Sequence, residues 1–270
     1  MAKIRTGDIT THVQLLPAAN PPADGGEVPV VVFVHGLLTD SLASYYFTLG
    51  PAFAAAGIDV IMYDLRGHGR SDRPASGYRL ESFVADLVGV LDGLGETRRA
   101  HVVGNSFGGT IATALAAWHP DRVATVTMIE SEPPVAEWTR HMAEGLADAK
   151  NQLGREEVIG WISANHGAHT ARLSRSASRI LATTTLAEDV PAGRVIDDGL
   201  DALDGCPLLA IFGDESGLSA QVPELEAKLV SCRTVVLPEQ GHSVLVERTE
   251  ETQRLILRWV REHTLAGAVR

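Results

Sequence analysis

The chain is short of cysteine, of positive charge and of long apolar runs. Cys206 and Cys232 are its only 2 cysteines in 270 residues. Two thiols are too few for a disulfide scaffold or a zinc knuckle, so lone buried thiols in a reducing compartment are expected. No stretch reaches the roughly 18 uninterrupted apolar residues that a membrane helix needs. The opening segment MAKIRTGDITTHVQLL lacks the apolar run of a secretory signal, which makes the cytoplasm the expected location and a membrane an unexpected partner. The 23 Lys+Arg residues are outnumbered by 34 Asp+Glu, for a net charge of −11. That balance opposes a phosphate-neutralising surface, and nucleic acid is not an expected partner either. Internal repeats and low-complexity tracts are also missing.

What is present reads as one globular unit. Hydrophobic residues make up 45% and charged residues 21% of the chain, close to the globular average. The length is sufficient to bury a sizeable core without staples. Short β-rich runs alternate with longer helical ones. ITTHVQLL (9–16) alternates like a half-buried strand. VVVFVHG (30–36), IDVIMYD (58–64), AHVVG (100–104), RVATVTMI (122–129), PLLAIFG (207–213) and RTVVLP (233–238) are continuous apolar runs of the kind buried parallel strands show. Helical patterns cover roughly 43–56, 79–94, 106–118, 219–230 and 248–265, and the Pro/Gly/Ala-rich segment 17–29 reads as a surface turn. Strands alternating with helices predict an α/β fold, a mostly parallel sheet covered on both faces. Between about 131 and 205 the rhythm gives way to amphipathic helical patterns (VAEWTRHMAEGLADAKNQL, then REEVIGWISANH), which suggests a helical cap over one sheet edge.

One segment carries chemistry. Gly104-Asn105-Ser106-Phe107-Gly108 fits G-x-S-x-G, with an apolar strand before it and the helical TIATALAAWH after it. A serine on such a strand-to-helix turn is strained and projects from the sheet's C-terminal edge. Its glycines remove side chains that would collide with the turn. A serine hydroxyl is a weak nucleophile and needs an adjacent base. Among 10 histidines, His242 is the candidate, because the LPEQGHSVLVE loop follows the last apolar strand and lies at the same sheet edge. His35, His68 and His119 are expected to serve packing and turns, and His141, His166 and His169 to be solvated.

With HGLL (35–38), YDLRGHGRSD (63–72), GNSFGG (104–109), HPDRV (119–123) and GH (241–242), the chain resembles an α/β-hydrolase fold protein over nearly its full length. The resemblance implies an eight-stranded, mostly parallel, doubly covered sheet. It assigns 1–130 and 206–270 to the core and 131–205 to a cap inserted after the sixth strand. In that family the carboxylate partner of the histidine usually ends a G-x-x-D tetrad after the seventh core strand. Here the tetrad is Gly213-Asp214-Glu215-Ser216, with serine where the carboxylate should be. A minority of the family, notably one branch of the haloalkane dehalogenases, places the acid after the sixth strand, which corresponds to Glu130. Glu130 is therefore the expected acid and Asp214 the alternative. Glu132, or a diad with no acid, is the remaining option. By the same resemblance the backbone amides of Leu37 and Phe107 form the oxyanion hole.

These residues imply acyl transfer from a small or medium ester, thioester or lactone through a Ser106 acyl-enzyme, with a biosynthetic tailoring step as one setting for it. The expected partner is a small-molecule acyl substrate, with no metal and no organic cofactor. Leu38, Trp138 and Trp161 are candidate pocket residues, and Met142 and Ile162 share the spacing of helix faces. Arg172, Arg175 and Arg179 recur on one helical face, expected to be solvated. Serine at 106 argues against epoxide hydrolase and dehalogenase chemistry, which need a carboxylate nucleophile. The alternatives are a carbon–carbon bond hydrolase, a cofactor-free perhydrolase, and a non-catalytic ligand receptor on the same scaffold. HGLL lacks the HGSGPG form of the carbon–carbon hydrolases, although GNSFGG resembles their nucleophile turn.

Overall fold

The computed structural model describes residues 2–21 and 28–267. Residues 22–27 of the predicted surface turn lie outside the described residues. The elements run β1 (Ala2–Thr6), β2 (Ile9–Leu16), β3 (Val30–Val34), α1 (Ala43–Tyr46), α2 (Gly50–Ala55), β4 (Asp59–Tyr63), α3 (Leu80–Gly93), β5 (Ala100–Asn105), α4 (Phe107–Trp118), β6 (Val123–Ile129), α5 (Ala136–Leu153), α6 (Glu156–Thr183), α7 (Leu186–Asp189), β7 (Leu208–Gly213), α8 (Val222–Lys228), β8 (Cys232–Leu237), α9 (Val244–Glu247) and α10 (Thr249–Gly267). One 8-stranded sheet has the order β1-β2-β4-β3-β5-β6-β7-β8. β1, β2 and β4 pair antiparallel, and every pairing from β4 through β3 to β8 is parallel.

The sequence of β3, VVVFV, shows why the sheet needs cover on both faces. All five residues are buried. Successive side chains point to opposite faces. Val30, Val32 and Val34 enter a core shared with α3, α4 and α8, while Val31 and Phe33 enter one shared with α1, α2, α9 and α10. β7 divides the same way, with Leu208, Ala210 and Phe212 on the first side and Leu209 and Ile211 on the second. Both faces being apolar is the signature of a parallel sheet between helical layers.

Several boundaries differ from expectation. β1 pairs only with β2, and its exposed alternate residues give it no apolar run to recognise. The predicted helix over 43–56 is two short ones, since Pro51 begins a new helix at its first turn. The predicted helix over 219–230 is a 3-10 turn (Gly217–Gln221) followed by α8, which starts beside Pro223. Between β6 and β7 the chain is helical, with α6 broken at Gly167 (φ 85°, ψ 164°).

The glycine-rich segment after β4 is fixed by charge. The Asp64 carboxylate accepts from His12 Nδ1 (2.8 Å), from the Leu42 amide (2.9 Å) and from the Arg70 amide (2.9 Å). Buried Arg66 clasps Asp86 through two hydrogen bonds of 2.7 and 3.0 Å. Cys206 and Cys232 are unpaired, and burial pushes both thiols up to about 11. Among the described residues, no helix is long and apolar enough to cross a membrane, and no group of acidic, histidine and cysteine side chains is placed to hold a metal ion.

Candidate active site

Ser106 sits between β5 and α4 with φ 52° and ψ −125°. An L-residue there is strained, and the surroundings must hold it. They do so from both sides: the Ser106 amide donates to Ile129 O at 2.8 Å, and Ser106 O accepts from the Gly109 amide at 2.9 Å. The flanking glycines are required by contact. A Cβ on Gly104 would lie 2.1 Å from Gly108 C, and one on Gly108 would lie 2.0 Å from Val34 O. The tight turn thus brings β3, β5 and α4 together beneath the hydroxyl.

His242 reaches this point from the loop between β8 and α9. Its Nε2 is 3.3 Å from Ser106 Oγ, and its Nδ1 is 3.0 Å from Glu130 Oε2. A carboxylate accepts, so Nδ1 carries the proton and Nε2 is left to accept from the serine hydroxyl. The loop is anchored against β7, where Gly213 lets Gln240 approach; a Cβ there would be 2.0 Å from Gln240 O. The His242 side chain is 57% exposed and Glu130 0%, so the base faces the cleft while its partner is sealed beneath it.

Glu130 directly follows β6 with φ 48°, a second strained non-glycine position. Its amide donates to Ile211 O at 2.9 Å, and its Oε1 accepts from the Gly213 amide at 2.5 Å. Both carboxylate oxygens are therefore engaged, which is what a fully buried carboxylate requires. Asp214 is exposed and does different work: its Oδ1 accepts from the Gln240 amide at 3.2 Å, and its own amide donates to Leu237 O at 3.0 Å. It braces the loop that carries His242. Glu132 accepts from His141 Nδ1 at 3.0 Å.

The segment carrying Leu37 lies against the serine. A Cβ on Gly36 would be 3.4 Å from Ser106 Cβ. Two buried histidines hold this segment. His35 donates from Nδ1 to Gly36 O (2.7 Å) and accepts at Nε2 from the Leu65 amide (3.0 Å). His68 donates from Nδ1 to Arg66 O and accepts at Nε2 from the Leu38 amide, both at 2.8 Å. Burial, with the neighbouring His35 ring adding to it, pushes His68 down to about 3. The ring is thus neutral and able to accept. Leu38 itself has φ 68°. The Gly36 amide donates to Asp40 Oδ2 at 2.8 Å.

Two openings meet at Ser106 and His242. A cleft of about 430 Å³ is lined by Leu37, Leu38, Phe107, Trp138, Met142 and Leu146 among others. A smaller one of about 280 Å³ lies on the other side, lined by Gly36, Thr39, Asp40, Ser44, Asn105 and Ser243 among others. Of the three candidate pocket residues, Leu38 and Trp138 line the larger cleft. Trp138 is 2% exposed and stacks on Phe107 at 6.3 Å between ring centroids. Trp161 is a correction: it lies outside the cleft, 59% exposed, on the outer face of α6 beside His166. Helical periodicity gives α6 an apolar side but does not say which structure that side meets. Arg172, Arg175 and Arg179 are exposed on α6 and contribute nothing to the cleft. Thr110, Ser131 and His141 also line it. The sequence held no sign of them beyond their nearness to Ser106, Glu130 and Trp138.

A sheet of this order, with a serine on a strained turn at the end of β5 and helices inserted after β6, defines a class. The chain has the α/β-hydrolase fold, and its residues 29–155, just under half of it, match the family model described as alpha/beta hydrolase fold. It is 42% identical to epoxide hydrolase B of Mycobacterium tuberculosis over 114 residues, which cover 42% of this chain and 31% of that protein. It is 31% identical to a bifunctional esterase/perhydrolase of Acinetobacter calcoaceticus over 134 residues, covering 47% of each. The chain thus spans less than two thirds of either relative. Among solved structures, an esterase from Exiguobacterium antarcticum superposes with a TM-score of 0.74 at 19% identity, covering 96% of this chain and 98% of that one. That likeness is one of fold.

Proposed function

We propose that the protein is a serine hydrolase that cleaves or transfers the acyl group of a small-to-medium ester, thioester or lactone through a Ser106 acyl-enzyme. The observation that carries this reading is the continuous hydrogen-bonded path Ser106 Oγ–His242–Glu130, with steps of 3.3 and 3.0 Å. In the first step His242 Nε2 takes the hydroxyl proton as Oγ attacks the carbonyl carbon. Glu130 holds the ring in the reactive tautomer and stabilises the imidazolium. The amides of Leu37 and Phe107 receive the oxyanion, and loss of one such donor costs about 10²–10³ in rate. His242 returns the proton to the leaving alcohol or thiol. In the second step it deprotonates a water that attacks the acyl-serine, and Ser106 leaves with the proton. The apolar cleft takes the acyl group and the smaller, more polar one the leaving group. The helices between β6 and β7 act as the cap.

The similarity to an epoxide hydrolase does not extend to that protein's chemistry in this reading, because a serine ether formed from an epoxide has no carbonyl at which water regenerates the enzyme. The likeness to an esterase/perhydrolase favours a second outcome at the same acyl-enzyme, interception by hydrogen peroxide to give a peracid.

The test is turnover of a p-nitrophenyl ester panel with labelling by a fluorophosphonate probe. Ser106→Ala is expected to abolish labelling and lower kcat by on the order of 10⁴–10⁶-fold. Undiminished turnover in the variant overturns the proposal; a wild-type protein that neither labels nor turns over any ester overturns it too and favours a ligand receptor.

A further inference from the structure

The largely apolar lining of the larger cleft carries two pairs of ionisable side chains: His242, which meets the serine, with Glu130 behind it, and a second pair, Glu132 and His141, which the proposed mechanism does not use. No lysine or arginine is among the residues lining it. Glu132 is held firmly. Its carbonyl accepts from the Thr110 hydroxyl at 2.8 Å, and the preceding Ser131 carbonyl accepts from the Gln221 side-chain amide at 3.0 Å. Its side chain is 25% exposed.

The pair has a definite polarity. A carboxylate oxygen only accepts, so the 3.0 Å contact to His141 Nδ1 places the proton on that nitrogen. In the neutral ring Nε2 then holds a lone pair, and the carboxylate has another on Oε2. Both groups offer acceptors, and the carboxylate adds negative charge to a cleft lined by no lysine or arginine. The His141 N–H meets one oxygen of that charge, and a donor on a ligand would meet the other. Thr110 follows Ser106 by four residues, a rise of about 6 Å along α4. Glu132 is held at Thr110 and lines the same cleft as Ser106, so an acyl chain attached to Ser106 that fills the cleft would meet the pair several bonds from the scissile carbonyl.

We propose that Glu132 and His141 form a specificity-determining subsite for acyl groups bearing a hydrogen-bond donor several bonds from the carbonyl, a protonated amine above all. This rests on the reading of Ser106 as the acyl carrier. The experiment compares p-nitrophenyl hexanoate with p-nitrophenyl 6-aminohexanoate on the wild type, Glu132→Gln and Glu132→Leu. Wild type is expected to prefer the amino ester in kcat/KM by about ten- to hundredfold, chiefly through KM. Glu132→Gln, which keeps size and hydrogen bonding, is expected to lose most of that preference, and Glu132→Leu to reverse it. A wild-type ratio of one or less, or a ratio that both variants leave unchanged, overturns the proposal.

Equilibrium binding of hexanamide and 6-aminohexanamide, followed by calorimetry, reads the same preference without turnover. Selective binding of the amine that Glu132→Gln abolishes supports the subsite even in a protein inert to both esters, an outcome that tells only against the Ser106 chemistry. Equal binding of the two amides by such a protein overturns the subsite as well. Equal hydrolysis of the two esters overturns the subsite and leaves the Ser106 reading standing.

Discussion

Glu130 has no exposed surface and a left-handed backbone, and both of its oxygens are occupied, one by the Gly213 amide and one by His242. Replacing one oxygen by an amide nitrogen puts a donor against either an N–H group or the imidazole. Glu130→Gln is expected to lower kcat on esters by about 10⁴-fold through misorientation of the ring. Asp214→Asn keeps the oxygen that accepts from Gln240. It is expected to retain most activity, and steady-state kinetics on the two variants decides between the carboxylates. Loss in Asp214→Asn with full activity in Glu130→Gln reverses the assignment. At this scale Ser106 and His242 were legible because a strand–turn–helix context and a loop after the last strand each leave one candidate. Glu130 was legible only by resemblance, from the serine at 216 that fills the usual acid position. Trp161 misled because an aromatic at helical spacing does not reveal what its face meets.

The junction of β3, β5 and α4 is where single elements become a scaffold. Helix α4 buries every residue from Phe107 to Ala116, and Gly108 lets it come against β3. Gly108→Ala pushes a methyl into the Val34 carbonyl and displaces the helix that carries Ser106 at its start. We expect loss of several kcal/mol of stability, as overpacking against rigid backbone gives, read as a fall in Tm together with lost activity. A variant as stable and active as wild type contradicts the close contact. The central elements were readable because continuous apolar runs such as VVVFV admit few alternatives. The edges were not: β1 has only a polar alternation and one neighbour, and α2 and α8 depend on where prolines restart the backbone.

Acid should weaken the whole molecule through histidines the fold keeps neutral. Burial, with His35 nearby, pushes His68 down to about 3 from 6.5. Burial, with His263 and Arg99 nearby, pushes His101 down to about 4 from 6.5. Below pH 6.5 the unfolded chain takes up protons that the folded chain refuses, so unfolding becomes easier as pH falls. The His101 contribution is present above about 6.5 and is lost as pH falls to about 4; that of His68 is lost down to about 3. Urea midpoints are expected to drop over this window, and His101→Gln to flatten the slope between pH 6.5 and 4. An unchanged slope in the variant refutes the contribution of that ring.

Ser106, Glu130 and Gly213 stand at the ends of adjacent strands β5, β6 and β7, with His242 just beyond β8, whereas α5 supplies only a wall of the larger cleft. The Ser106–His242–Glu130 path and the helical wall of the cleft thus come from separate stretches of chain. Residues on the cleft-facing side of α5, such as Met142 and Gly145, shape the cleft without entering the Ser106–His242–Glu130 path.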